Sequence, residues 1–200
     1  MKHVLVRSLA ITALTLATSA FAAAGQGDTA PSFNAPASKA GKTISFSLAD
    51  ALKTGPVVVY FFPSAYTGGC DIEAHEFAQE TEKFKAAGAT VIGVSEDSIQ
   101  RLNTFSSDPN YCAGKFAVAS DPDGKIAQSY GLKVSAADPK AVDVRGVAID
   151  HGFIERTTFV IGSDGKIAAV LSSETDHLHP KDHVSKSLSV VEQMKSPKAP

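Results

Sequence analysis

Val57-Val58-Val59-Tyr60-Phe61-Phe62 is an unbroken run of large apolar residues, and the helical pattern that follows it begins at Gly68-Gly69-Cys70. A short run this rich in β-branched and aromatic residues is the signature of a strand covered on both faces. From Cys70 to Ala87, the residues Ala74, Phe77, Thr81 and Phe84 recur at helical spacing, and Gly88 supplies the stop. A second strand is expected at once, over Thr90 to Val94. Strand, helix, strand in that order implies a parallel pair joined by a right-handed crossover. Cys70 therefore stands where a buried strand hands over to a helix N-terminus. Amide groups there lack intrahelical partners and carry the positive end of the helix dipole, which favours thiolate over thiol. A cysteine so placed is expected to be chemical rather than structural.

The remaining pattern predicts a helix over Ile99 to Ser106 and a strand over Phe116 to Ala119. Asp121-Pro122-Asp123-Gly124 reads as a turn into a short helix that Gly131 ends. Thr157 to Ile161 and Ile167 to Leu171 flank Gly162-Ser163-Asp164-Gly165-Lys166, a strong antiparallel hairpin signal. A closing helix shows Val184, Leu188, Val191 and Met194 on one face. Parallel strands, an antiparallel hairpin and a closing helix describe an α/β protein, a central mixed sheet flanked by helices, with the thioredoxin-like fold as the leading candidate. Lys133 to Ile154 reads as an irregular excursion.

The N-terminus carries Lys2, His3 and Arg7 ahead of an apolar stretch from Leu9 to Phe21, then small residues through Ala24. Residues 1–24 are thus expected to be a cleaved secretory signal peptide; the stretch is short for a membrane anchor and is broken by Thr12, Thr15, Thr18 and Ser19. Residues 25–40, rich in Gly, Ala, Pro and Ser, read as a flexible entry segment, with order beginning near Lys42 and a single domain over residues 41–196. Without Lys2 and Arg7 the chain has 17 basic and 21 acidic side chains, and the lysines are scattered. That distribution argues against a nucleic-acid partner. Only Cys70 and Cys112 remain as thiols in an exported chain, and an oxidising compartment permits a permanent bridge or a cycling pair. The localisation expected is periplasmic or secreted, with no stable membrane insertion after cleavage.

Pro63-x-x-x-Thr67-x-x-Cys70, with Glu73 three residues on, resembles the active-site signature of the peroxiredoxins. Ile154-Glu155-Arg156-Thr157-Thr158-Phe159-Val160-Ile161 resembles that family's arginine-bearing strand, and Ser120-Asp121-Pro122-Asp123-Gly124 with Tyr130-Gly131 resembles its short connecting helix. The resemblance runs from about Pro31 to the C-terminal helix and is greatest to the bacterioferritin-comigratory, or Q-type, branch. It implies a thiol peroxidase that reduces hydrogen peroxide and organic hydroperoxides without metal, flavin or haem, recycled by a thioredoxin-like or glutathione-like thiol donor. In that reading Cys70 is peroxidatic and Arg156 stabilises its thiolate. Thr67 brings a hydroxyl to the sulfur, Pro63 shields the pocket, and Glu73 supports Arg156. A loop or cap hydroxyl at Thr67, a strand-ending proline at Pro63 and a helix-favouring acid at Glu73 are the plain structural readings of the same residues.

Two departures from the family pattern matter. The position five residues after Cys70, where many Q-type members have a second cysteine, is His75, so Cys112 is the candidate resolving cysteine, against a one-cysteine mechanism with Cys112 as a bystander. Gly68-Gly69 stands where the family often has a proline and a less flexible residue, which would ease local unfolding. Two other functions stay open: a redox-inactive binding module with a structural Cys70–Cys112 disulfide, and a general thiol–disulfide oxidoreductase. The second normally needs Cys-x-x-Cys, which this chain lacks. His177, His179 and His183 are close enough in sequence to suggest a surface metal site, but Asp176, Lys181 and Asp182 around them read as a solvated helix entrance, so no metal is expected. The chain is expected to be a monomer or dimer.

Overall fold

The computed structural model describes residues 23–195; the expected leader falls almost wholly on residues 1–22, outside the described residues. Nine strands and five helices follow in the order β1 (Asn34–Lys39), β2 (Lys42–Ser47), α1 (Leu48–Leu52), β3 (Val57–Phe61), α2 (Gly68–Ala86), β4 (Thr90–Ser95), α3 (Ile99–Ser107), β5 (Ala117–Ser120), α4 (Lys125–Ser129), β6 (Val134–Ser135), β7 (Phe153–Ile154), β8 (Thr157–Ile161), β9 (Ile167–Ser172) and α5 (Pro180–Lys195). Seven strands form one sheet in the order β2-β1-β5-β4-β3-β8-β9, while β6 and β7 pair separately. β3, β4 and β5 run parallel; the β1–β2, β1–β5, β3–β8 and β8–β9 pairs are antiparallel. This is the expected mixed sheet.

All of β3 is buried, and its alternation divides the core. Val58, Tyr60 and Phe62 face one layer with Phe77 and Phe84 of α2, Leu102 of α3, and Val184, Leu188 and Val191 of α5. Val57, Val59 and Phe61 face the other, with Ile92, Tyr130, Phe159 and Ile161. Each such side chain stabilises the fold by roughly 1.5–3 kcal/mol on burial. Phe77 is stacked on Tyr60 with centroids 4.6 Å apart; truncating it to Ala would cost about 3–5 kcal/mol. α2 stops where expected, with Gly88 at φ +81°.

Two expectations need correction. The entry segment contains β1, which pairs with β2 on one side and β5 on the other, so order begins well before Lys42. Its inward residues are Ala35 and Ala37, too small to leave a period-2 hydrophobic signal. On α5, Val184, Leu188 and Val191 are buried but Met194 is 39% exposed near the helix end. The 133–154 excursion is irregular over most of its length, as expected, and is tied down by the β6–β7 pair and by a bridge between Val142 and Ala148.

Candidate functional site

β3 and α2 are joined by a tight loop in which Tyr66 takes a left-handed φ of 61°. Thr67 is the N-cap of α2, extended at φ −127°, and its carbonyl accepts from the Asp71 amide at 2.9 Å. Cys70 lies in the first turn, only 2% exposed, within the apolar cluster that holds Phe62, Ala65, Tyr66 and Ala74.

Arg156 reaches this thiol from across the sheet. Its Nη2 donates to Cys70 Sγ at 3.1 Å, while Nη1 pairs with Glu73 Oε2. The arginine is not inside a strand as the sequence pattern suggests, but in the link between β7 and β8, where its side chain can turn toward α2. Gly69 makes room for it: a Cβ there would stand 3.2 Å from Arg156 Nη2 and 3.3 Å from Pro180 Cγ. The glycine thus serves close approach, a reason its sequence context does not reveal. The Thr67 hydroxyl donates to the Ser64 carbonyl at 2.7 Å. With its single proton used there, the oxygen's lone pairs are what remain for other donors.

The electrostatic balance at Cys70 differs from the helix-terminus expectation. Burial pushes the thiol above its ordinary value, and the Arg156 charge, followed by the Ser64 backbone, pulls it back without cancelling that cost. A fully buried sulfur loses its hydration, and one guanidinium shared with a carboxylate does not replace it. Glu73 is fully buried as well; desolvation lifts its carboxyl to about 7 against the pull of Arg156. Glu73 Oε1 has no hydrogen-bond partner, and its nearest ionisable neighbour on α5 is His183 Nδ1 at 3.9 Å. His183 is itself buried, set between Thr158 Oγ1 at 3.0 Å and Ser173 Oγ at 2.9 Å. Burial, followed by the Arg156 charge, lowers its pKa to about 4, so the ring is neutral at ordinary pH.

Cys112 is fully buried in the turn beyond α3. The Ala113 amide returns to the Asp108 carbonyl at 2.9 Å and the Gly114 amide to Ser106 at 2.8 Å, with both residues at positive φ. Tyr111 next to it stacks on Phe105 at 5.3 Å and meets Tyr66 edge-on at 5.3 Å. Burial, with Asp108 and Asp71 nearby, raises the Cys112 thiol well above its usual value. Both cysteines are free thiols. His75 is exposed on α2 and donates from Nδ1 to the Asn110 carbonyl at 2.9 Å, tying the two cysteine-bearing segments together.

Pro63 and Arg156 line one wall of an open cavity of about 650 Å³ completed by Val134, Phe153, Ile154 and Glu174. The three C-terminal histidines do not converge: His183 points into the core, and no group of three or more His, Cys, Asp or Glu among the described residues is arranged to hold a metal ion. Ser64, Asp97, Arg101, Asp143 and His151 form a buried polar cluster against the Cys70 loop that sequence reasoning missed. A single carboxylate after a strand carries no periodic signal.

A family model described as the AhpC/TSA family matches residues 26–170. Peroxiredoxin Q of the Sedum lineare chloroplast is 29% identical over 177 residues, covering 88% of this chain and 83% of that protein. Among solved structures, peroxidoxin BcpB of Mycobacterium tuberculosis superposes with a TM-score of 0.70 at 28% identity, over 86% of this chain and 99% of that one. The bacterioferritin comigratory protein of Xanthomonas campestris, at 23% identity and a TM-score of 0.62 over 80% of this chain and 92% of its own, shares the fold.

Proposed function

The chain belongs to the AhpC/TSA family, the peroxiredoxin thiol peroxidases of thioredoxin-like fold, with similarity to the Q-type members, and we propose that Cys70 is its peroxidatic cysteine and Cys112 its resolving one. The observation that carries this reading is the 3.1 Å contact of Arg156 Nη2 with Cys70 Sγ, on an arginine pinned by Glu73. A guanidinium aimed at a dehydrated sulfur stabilises the thiolate, the form that attacks. The thiolate attacks one oxygen of the peroxide and breaks the O–O bond, giving Cys70 sulfenic acid, while the other oxygen leaves as hydroxide or alkoxide and takes up a proton to become water or alcohol. Arg156 then faces the developing negative oxygen as well as the sulfur.

In the second step the Cys112 thiol attacks the Cys70 sulfenic acid, forming a disulfide and releasing water. Both thiols start buried, and a disulfide needs Cα atoms within about 7 Å with matched Cβ directions. Release of the 108–114 turn, of the first turn of α2, or of both accompanies this step. A thioredoxin-like or glutathione-like thiol donor then reduces the disulfide. We place the mature protein in the periplasm or outside the cell, on the strength of the N-terminal leader pattern; recovery in the cytosolic fraction of its host would remove this assignment.

The test is intact mass of the reduced protein after one equivalent of hydrogen peroxide, beside Cys112→Ser. The parent should lose two hydrogens and the variant should gain one oxygen. If both gain oxygen, Cys112 is a bystander; if neither reacts, Cys70 is not peroxidatic.

A further inference from the structure

Asp97, just past β4, is fully buried and gathers donors from four segments. Its Oδ2 accepts from the Ala65 amide at 2.7 Å and the Ser95 hydroxyl at 2.8 Å. Its Oδ1 accepts from Ser64 Oγ at 3.0 Å, pairs with Arg101 Nε at 2.8 Å and lies 3.0 Å from His151 Nε2. Arg101 extends the cluster, donating from Nη2 to the Ala65 carbonyl and to Asp143 Oδ2, each at 2.9 Å. Arg145 also binds Asp143 and lies 3.3 Å over the Tyr66 ring. Ser64, Ala65 and Tyr66 are thus all gripped, and this is the loop whose Ser64 carbonyl fixes the Thr67 hydroxyl and whose Ser64 backbone draws the Cys70 thiol down.

Both ring nitrogens of His151 face oxygen acceptors. Nδ1 lies 2.7 Å from the Gly152 carbonyl and Nε2 lies 3.0 Å from Asp97 Oδ1. Both partners are acceptors without protons, so both contacts can be hydrogen bonds at once only when the ring is an imidazolium. The Ser64 hydroxyl, 3.5 Å from Nε2, already donates to Asp97. A neutral ring would have to give up one of its two bonds. The charged groups facing His151 are Asp97 and Glu96 from the end of β4, with Arg101 of α3 sharing Asp97 Oδ1; the β3–α2 loop contributes only the Ser64 hydroxyl. Burial opposes the charged ring, but the Asp97 bond and charge outweigh it and hold His151 above its ordinary value, while Asp97, despite its own burial, is held below its own.

We propose that Asp97 is a positioning residue for the Cys70 site and that His151 is a protonation-dependent latch fastening the 133–154 excursion onto Asp97, the carboxylate that in turn holds Ser64 and Ala65 of the loop carrying Thr67. Losing the latch proton as pH rises costs the ring its charge and one of its two bonds, to Asp97 or to Gly152, and so loosens the hold of residues 150–152 on Asp97. The proposal rests on the reading that Cys70 is the reacting thiol. Its test has one arm that needs no turnover.

The first arm follows the His151 ring nitrogens by NMR in the parent protein between pH 5 and 9, with the signal assigned by its loss in His151→Gln. Both nitrogens should be protonated at pH 6, titrating together above the usual histidine range. A neutral ring at pH 6 overturns the latch. The second arm measures the rate constant for hydrogen peroxide in parent and His151→Gln across the same range. Glutamine offers Asp97 a donor but cannot titrate, so the variant should be roughly threefold to tenfold slower at pH 6, a fraction of one charge-assisted hydrogen bond. The two rates should draw together over the pH range in which the His151 ring signal titrates. A ratio unchanged with pH, in proteins that both consume peroxide, overturns the positioning role. A parent that consumes no peroxide at any pH instead defeats the Cys70 reading and leaves the NMR result to decide the latch.

Discussion

Arg156 Nη2 and Cys70 Sγ, 86 residues apart in the chain, meet at 3.1 Å because the link between β7 and β8 faces the first turn of α2 across a gap kept open by Gly69. Arg156→Ala should slow reaction with peroxide about a hundredfold, the scale of losing one preorganised charged donor. Stability should fall less than a buried ion pair usually implies, since Glu73 can take a proton in place of its lost partner. Stopped-flow peroxide consumption and urea denaturation read the two effects separately; equal peroxide rates for variant and parent would remove Arg156 from the mechanism.

The Thr67 hydroxyl donates to Ser64 and leaves its lone pairs to accept from the peroxide O–H. Thr67→Ser keeps that oxygen and should retain most of the rate, whereas Thr67→Val should lose about tenfold, the worth of one hydrogen bond at the reacting atoms. Comparable rates for Val and Ser would reduce Thr67 to a loop residue.

Tyr111 is packed between Phe105 and Tyr66 directly beside Cys112. Tyr111→Ala should destabilise the protein by about 1–2 kcal/mol through the two lost ring contacts. It should also speed conversion of sulfenic acid to disulfide, because the 108–114 turn then opens more easily. Quenched-flow mass spectrometry resolves the two species. A disulfide step that slows would mean the aromatic packing guides Cys112 toward Cys70 rather than restraining it.

The parts of this molecule legible in its sequence are those written in large apolar side chains at a regular period: β3, α2, β4 and the β8–β9 hairpin. β1 was hidden because its inward positions are Ala35 and Ala37, whose pairing is decided by backbone bonds to β2 and β5. Cys70, Thr67, Glu73 and Arg156 were readable as a motif, and they converge in space. The direction of the Cys70 shift was not readable, since it turns on how completely the packed core dehydrates the sulfur. Asp97, His151 and His183 owe their surroundings to segments far apart in the chain, and a single polar residue carries no mark of what folds over it.

His183 and Glu73 offer the sharpest pH test. Glu73 holds its proton to about 7 when folded, against an ordinary 4.5. The folded state keeps a proton that the unfolded chain releases, so this group alone makes stability fall as pH rises from about 4.5 to about 7. His183 refuses a proton down to about 4, against an ordinary 6.5. The unfolded chain takes a proton that the folded chain does not, so this group alone makes stability fall as pH drops from about 6.5 to about 4. Between the two ordinary values the folded chain carries one proton on Glu73 and none on His183, and the unfolded chain carries the reverse. Their proton counts match, and the pair contributes no net slope. Glu73→Gln should unmask His183, its stability relative to the parent rising by about 1.4 kcal/mol per pH unit between pH 5 and 6. His183→Asn should unmask Glu73, with a slope of the same size and opposite sign. Urea denaturation at pH 5, 5.5 and 6 measures both; slopes of like sign, or none, would show that the two groups do not hold the proton distribution described. With both neutral, the Arg156 charge falls on Cys70 alone, and as pH passes about 7 Glu73 ionises and takes a share of it.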